Sequence, residues 1–159
     1  TFAPGPEMLS ERSGCSAVVL ESSPRRVLVV GGRNLGYVNL NTTEVLDLDT
    51  MTFSHGPTMR FARVGCAAVL LGGDSRRHCL VVGGYDENGE MNTTEVLDLE
   101  TMEFTDGPAM LEGRGGCAAV ADEAGDRVFL LGGVRSREIE VLEAAASAQE
   151  ETRALTRRR

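Results

Sequence analysis

Three arginines stand at matching places in the chain: Arg12, Arg63 and Arg114, 51 residues apart. A guanidinium presents a planar fork that grips a carboxylate bidentately and stacks on flat groups. Such a series could bind acidic groups from outside, or build an internal framework with neighbouring acids and carbonyls. Two residues beyond each arginine comes a Gly-Cys pair: Gly14-Cys15, Gly65-Cys66 and Gly116-Cys117. Thiols can hold zinc, but the sequence has no C-x-x-C pair and only two histidines, His55 and His78, so no metal site is assigned. Equivalent positions in neighbouring repeats lie further apart than the roughly 4.4–6.8 Å Cα separation of a disulfide. The three cysteines therefore read as small side chains at crowded places, and Cys79 as a buried thiol. Free thiols favour a reducing compartment, and a cytoplasmic location is expected. The sequons Asn41-Thr42-Thr43 and Asn92-Thr93-Thr94 argue the other way, although both also read as turns into a strand. The doublets Gly31-Gly32, Gly83-Gly84 and Gly132-Gly133 have neither the G-x-G-x-x-G spacing nor a following helix, so they end strands rather than cradle phosphate. No Ser–His–Asp set sits at a strand–helix turn. No catalytic residue and no cofactor is assigned, and the chain is expected not to be an enzyme.

Composition narrows the partners. All 16 basic residues are Arg, against 24 acids, for a net charge of -8, so nucleic acid is not expected. No apolar run reaches the ~18 residues of a membrane span, and no membrane association is expected. No basic-then-apolar leader opens the sequence at Thr1, which reads as a trimmed or uncaptured start. The 42% of hydrophobic residues within 159 supports one folded unit.

The elements that position these residues repeat with them. Phe2, Phe53 and Phe104, and the pairs Gly5-Pro6, Gly56-Pro57 and Gly107-Pro108, keep the 51-residue step. The block Thr42 to Leu48 returns as Thr93 to Leu99 and, weakly, as Glu138 to Leu142. Each unit reads as four short strands. Cys66 to Leu71 is continuously apolar, as in a strand covered on both faces. His78 to Val82 follows and stops at Gly83-Gly84. Glu95 to Leu99 alternates with period two. Met102 to Phe104 comes last, ending at Gly107-Pro108. The segments Gly72-Gly73-Asp74-Ser75, Asp86 to Gly89, and Asp106 to Pro108 supply turns.

Four strands in about 50 residues with a Gly doublet after the second is the pattern of a propeller blade. On Phe53, Gly56-Pro57, Met59, Arg63, Gly65, Val69, Val81-Val82-Gly83-Gly84, Thr94 to Asp98 and Phe104, the sequence resembles the kelch family. It looks most like the kelch region of BTB–BACK–kelch adaptors, over residues 2 to 142, although no BTB or BACK segment is present. Leu46, Leu97 and Leu142 stand where that family usually has Tyr, and the three Phe where it has Trp. Both substitutions are expected to keep an apolar anchor between blades.

The resemblance implies an all-β kelch-type β-propeller segment over residues 1–142, with four-stranded blades near 1–51, 52–102 and 103–142. Residues 143–159, rich in Ala, Glu and Arg, are expected to be helical or disordered. The third copy runs out after its third strand. Ring closure takes ~4–8 blades, so the chain reads as a fragment of a longer propeller or, alternatively, as half of a homodimer closing a six-bladed ring. The resemblance also implies that Arg12, Arg63 and Arg114 can stand at the channel mouth and contact acidic peptide. Loops on the same face carry Arg33, Asn34 and Tyr37, then Tyr85, Asp86, Glu87 and Asn88, with Arg60 and Phe61 leading to the innermost strand. An exposed aromatic beside Arg suits a binding hot spot. The expected function is protein or acidic-peptide binding through this face, as the substrate-recognition part of a ubiquitin-ligase adaptor. A cytoskeletal scaffold is the alternative, and a kelch-type enzyme a more distant one.

Overall fold

The structure is a computed structural model that describes residues 1–20, 24–72, 78–134 and 136–143. Its strands are β1 (Ser16–Leu20), β2 (Arg26–Val30), β3 (Thr43–Asp47), β4 (Thr52–His55), β5 (Ala67–Leu71), β6 (His78–Val82), β7 (Thr94–Asp98), β8 (Glu103–Asp106), β9 (Ala118–Ala121), β10 (Arg127–Leu131) and β11 (Ile139–Glu143). Among the described residues there is no helix. The strands form three antiparallel meanders: β1-β2-β3-β4, β5-β6-β7-β8 and β9-β10-β11.

The run Cys66 to Leu71 became the first strand of its sheet, half-buried beyond Ala67 rather than covered on both faces, and the run His78 to Val82 became the second. In β6, Cys79 to Val82 are all buried, because both faces of the sheet are covered. The alternating block became the third strands. Register repeats across the first two sheets: Leu46 lies opposite Phe53, and Leu97 opposite Phe104. A short Asp-anchored turn joins each pair. Asp47 Oδ1 accepts from the N–H groups of Asp49 and Thr50, and Asp98 Oδ1 from those of Glu100 and Thr101.

Sheets stack through two apolar clusters. Leu28, Val30 and Val45 meet Cys79, Val81 and Leu97 between the first and second sheets. Leu80 and Val82 meet Val128 and Leu130 between the second and third. At roughly 1.5–3 kcal/mol per fully buried side chain, this burial outweighs the few hydrogen bonds that cross between sheets. Those bonds fix the alignment instead. The Gly65 N–H donates to the Gly14 carbonyl at 2.7 Å and the Gly116 N–H to Gly65 at 2.8 Å, so three inner lead-in segments step side by side. The Gly32 and Gly84 N–H groups donate to the carbonyls of Arg63 and Arg114, each at 2.8 Å. Gly83 has φ near +59°, and a Cβ there would collide with the Arg114 carbonyl. Only glycine admits both the conformation and the close approach.

The third sheet has three strands among the described residues, in keeping with a third copy that runs out after its third strand. One expectation is corrected. Phe2 anchors nothing: it is fully exposed, and residues 1–6 form no strand, because no third strand lies beside them to pair with. The tail from 144 to 159 and the turn residues 73–77 lie outside the described residues.

Candidate functional site: a groove between loops of the first two sheets

The repeated arginines point inward. Arg63 Nη2 and Nε bond Glu95 Oε1 at 2.9 and 3.2 Å, and its Nη1 donates to the carbonyls of Gly83 and Thr93. Arg12 Nη2 meets Glu44 Oε1 at 2.6 Å, with its Nη1 on the carbonyls of Gly31 and Thr42. Arg114 Nε meets Glu140 Oε1 at 2.8 Å, with its Nη1 on the carbonyls of Gly132 and Glu138. All three side chains have 0% exposure. Each carboxylate also accepts backbone N–H groups from the incoming loop: Leu9 and Ser10 on Glu44, Arg60 and Phe61 on Glu95, Leu111 on Glu140. Burial opposes ionisation of Glu44 and Glu140. The N–H of Leu9 or Leu111 and the partner guanidinium outweigh it, and hold both carboxyls below their ordinary value.

This corrects the expected contact of Arg12, Arg63 and Arg114 with a ligand. The guanidiniums are committed to a buried clasp within each sheet, tying the lead-in of the first strand to the middle of the third. The glutamates are the residues that sequence reading missed. Their signal was available, since Arg12–Glu44 and Arg63–Glu95 share a spacing of 32, and Arg114–Glu140 has 26.

Once buried, the clasp sets the loops that follow it. The Glu95 carboxylate seizes the Arg60 and Phe61 backbone, so their side chains turn outward. Arg60 pairs with Asp106 at 2.5 Å in solvent. Phe61 stays 44% exposed. On the neighbouring loop, Arg33 pairs in a short bridge with Ser13 and with Asn39. Its Nε donates to Asn39 Oδ1 at 2.8 Å, and Asn39 Nδ2 donates onward to the Tyr85 carbonyl at 3.2 Å. Tyr37 tops the turn, 83% exposed, with φ of 60°. A left-handed conformation is strained for an aromatic residue, and it is held by the Asn34 carboxamide, which accepts from the Val38 N–H.

These loops enclose a groove of about 530 Å³, lined by Arg33, Tyr37, Val38, Asn39, Arg60, Phe61, Ala62, Asp86 and Glu87. Four expected residues, Arg33, Tyr37, Arg60 and Phe61, are thus brought together. On the far rim, the Asn88 and Gly89 N–H groups keep the Asp86 carboxyl below its ordinary value, so it is charged at neutral pH. Tyr85 does not line the groove. Its backbone bridges Val64, and its ring lies over Gly115, where a Cβ would strike it. Its hydroxyl reaches the Gly115 carbonyl, which places the ring against the lead-in to the third sheet. Val38 and Asn39 were not expected, because nothing in the sequence distinguishes them from other loop residues.

A second hollow of about 350 Å³ runs along the inner strands, past Val18, Val69 and Val120. Asp122 is the one charged side chain in its lining among the described residues, and its carboxylate is taken up by Arg127. Among the described residues, no group of three His, Cys, Asp or Glu could hold a metal ion, and no helix is long and apolar enough to cross a membrane.

A family model described as the Kelch motif matches residues 62–111. That stretch runs from the groove residue Ala62 through all four strands of the second sheet. No curated protein matches the chain.

Proposed function

We propose, from the premise that the chain is a kelch-repeat protein, that it is a non-catalytic interaction module which binds a protein partner in the groove between its first two blades. The carrying observation is the placement of Tyr37 and Phe61, both solvent-exposed, beside Arg33 and Arg60 in one hollow. Aromatic and arginine side chains carry most of the energy at protein interfaces. Arg33 commits only its Nε, leaving its two terminal nitrogens without a partner among the described residues.

The favoured ligand is a short acidic segment: an apolar side chain between Tyr37 and Phe61, with a carboxylate on the free end of Arg33. Asp86 and Glu87 close the other rim and repel a uniformly acidic strand, so one carboxylate is favoured over a run of them. On this reading the chain serves in the cytoplasm as the substrate-recognition part of a ubiquitin-ligase adaptor. Its four unpaired cysteines suit a reducing compartment. A second copy of the chain is a further partner, through a different surface.

Selection from a random peptide library on the immobilised chain tests the reading. The selected peptides carry an apolar residue beside an acid, and Phe61→Ala or Arg33→Ala weakens them at least tenfold. Equal affinity for both variants, with folding intact, overturns it.

A further inference from the structure

Asn88-Gly89 is the one Asn-Gly pair in the sequence. It sits on the loop between β6 and β7, directly after Asp86 and Glu87, which line the groove. Asparagine is among the side chains that fail chemically with time. Its Cγ is an electrophile within reach of the next backbone nitrogen. A Cβ on the following residue crowds that approach, and glycine has none. Gly89 has φ near +123°, and the place where its Cβ would stand is open space. Asn88 is exposed, so water has access to it.

Asp86 lies against both reacting nitrogens. Its Oδ1 accepts from the Gly89 N–H at 3.1 Å and from the Asn88 N–H at 2.7 Å. Its Oδ2 accepts from Asn88 Nδ2 at 3.4 Å. The Asp86 N–H donates to the Gly89 carbonyl at 3.0 Å, which closes the turn and keeps the carboxylate beside the pair. A general base works within about 2.6–3.2 Å of the atom whose proton it takes, and Oδ1 meets that condition at Gly89. The bond that holds the Gly89 N–H therefore also aims its proton at a base.

We propose that Asn88 is a self-modification site, which the folded chain converts to aspartate and isoaspartate with Asp86 as general base. The Gly89 nitrogen attacks Asn88 Cγ and a new N–Cγ bond forms. The Asp86 carboxylate takes the Gly89 proton and passes it to Nδ2. The Cγ–Nδ2 bond breaks, ammonia leaves, and Asp86 is ionised again. Water then opens the cyclic imide. Attack at Cγ restores the main chain and leaves aspartate. Attack at the main-chain carbonyl carbon leaves isoaspartate, with an extra carbon in the backbone. Nothing is oxidised or reduced, and either product carries one more negative charge.

The other asparagines lack this arrangement. Leucine follows Asn34 and Asn39, and β-branched threonine follows Asn41 and Asn92. The carboxamides of Asn34, Asn39 and Asn41 are also engaged, with the Val38 N–H, with Arg33 and the Tyr85 carbonyl, and with the Met59 carbonyl. At residue 88 the new charge joins Asp86 and Glu87 on the groove rim. Its effect there rests on the acidic-peptide reading of the groove: the acquired charge repels the ligand, so binding declines as the molecule ages.

Incubation of the 159-residue chain at neutral pH tests the chemistry, followed by peptide mapping in a mass spectrometer and methyl transfer by an isoaspartyl methyltransferase. Residue 88 is expected to gain the mass difference between an amide and an acid and to accept the methyl group, with the other asparagines intact. Asp86→Asn keeps an oxygen acceptor but removes the base, and slows the conversion about tenfold or more. In urea, where the turn is lost, the two chains convert alike. A parent chain that keeps Asn88, a folded Asp86→Asn chain that converts as fast as the parent or faster, or a difference that persists in urea overturns the proposal. Asn88→Asp reads the consequence separately, as several-fold weaker binding of peptides selected on the parent. Unchanged affinity overturns the link to the groove, whereas failure to select any peptide overturns the groove reading and leaves the chemistry standing on the first measurement.

Discussion

Arg63 and Glu95 lie 32 positions apart and meet with no solvent on either side chain, the guanidinium Nη2 2.9 Å from Oε1. The pair closes the second sheet by joining the lead-in of its innermost strand to its third. It also presents Arg60 and Phe61 to the groove through the Glu95 carboxylate. Scaffold and groove loop therefore share one ionic clasp.

Breaking the clasp should be costly. Arg63→Ala leaves Glu95 buried without its guanidinium partner, and removing one partner of a buried pair costs about 3–5 kcal/mol. Arg60→Ala, which removes only a solvent-exposed partner of Asp106, should cost about 0–1 kcal/mol. Urea denaturation of both variants checks the contrast. Similar midpoints for Arg63→Ala and Arg60→Ala would show that the clasp is not what holds the sheet.

Acid should loosen the fold through the same units. Glu44 and Glu140 titrate below their ordinary 4.5: burial raises them, but the N–H donors and guanidiniums prevail. Groups depressed in the folded state add stability that is complete above their unfolded pKa. That stability fades as pH falls through the lower folded values. Thermal midpoints should hold level above about pH 5 and drop below about 4. The drop should shrink in Glu140→Gln, measured against its own midpoint at neutral pH.

The thiols divide by burial. Desolvation pushes Cys66 up to about 11 and Cys79 up to about 12, so neither is thiolate at neutral pH. Cys15 and Cys117 are half-buried. A thiol-reactive chromophore at pH 7.5 should label Cys15 and Cys117 first, with Cys66 and Cys79 reacting only after urea is added. Rapid native labelling of Cys79 contradicts the packing between the first two sheets.

Gly83→Ala should destabilise the chain by about 2 kcal/mol or more, since it combines a left-handed backbone with a collision on the Arg114 carbonyl. Gly132→Ala is the control. Its φ of +69° is close to that of Gly83, but a Cβ there meets nothing, and the change should cost only about 1 kcal/mol. Equal losses in the two variants would show that close approach between blades is not limiting.

The strands were legible because the repeated Thr-Thr-Glu-Val-Leu-Asp block and the apolar runs each carry their own period, and three copies reinforce it. The direction in which Arg63 points was not legible. Its spacing is the same whether it faces a channel or a glutamate, and only the paired recurrence of Glu95 decides. Phe2 matches Phe104 in sequence, yet an anchor needs a strand to lie on, and Phe2 has none among the described residues. Tyr37 and Phe61 were recognised as exposed loop aromatics. Their convergence depends on two loops from different sheets, which no local pattern encodes.

The central functional claim is that the groove loops, rather than the inner strands, receive the partner. Hydrogen–deuterium exchange of the chain with and without a selected peptide tests it most directly. The account predicts slowed exchange at residues 33–39, 60–62 and 86–87, abolished by Phe61→Ala. Slowing at Val18, Val69 and Val120, with those loops unchanged, would contradict it.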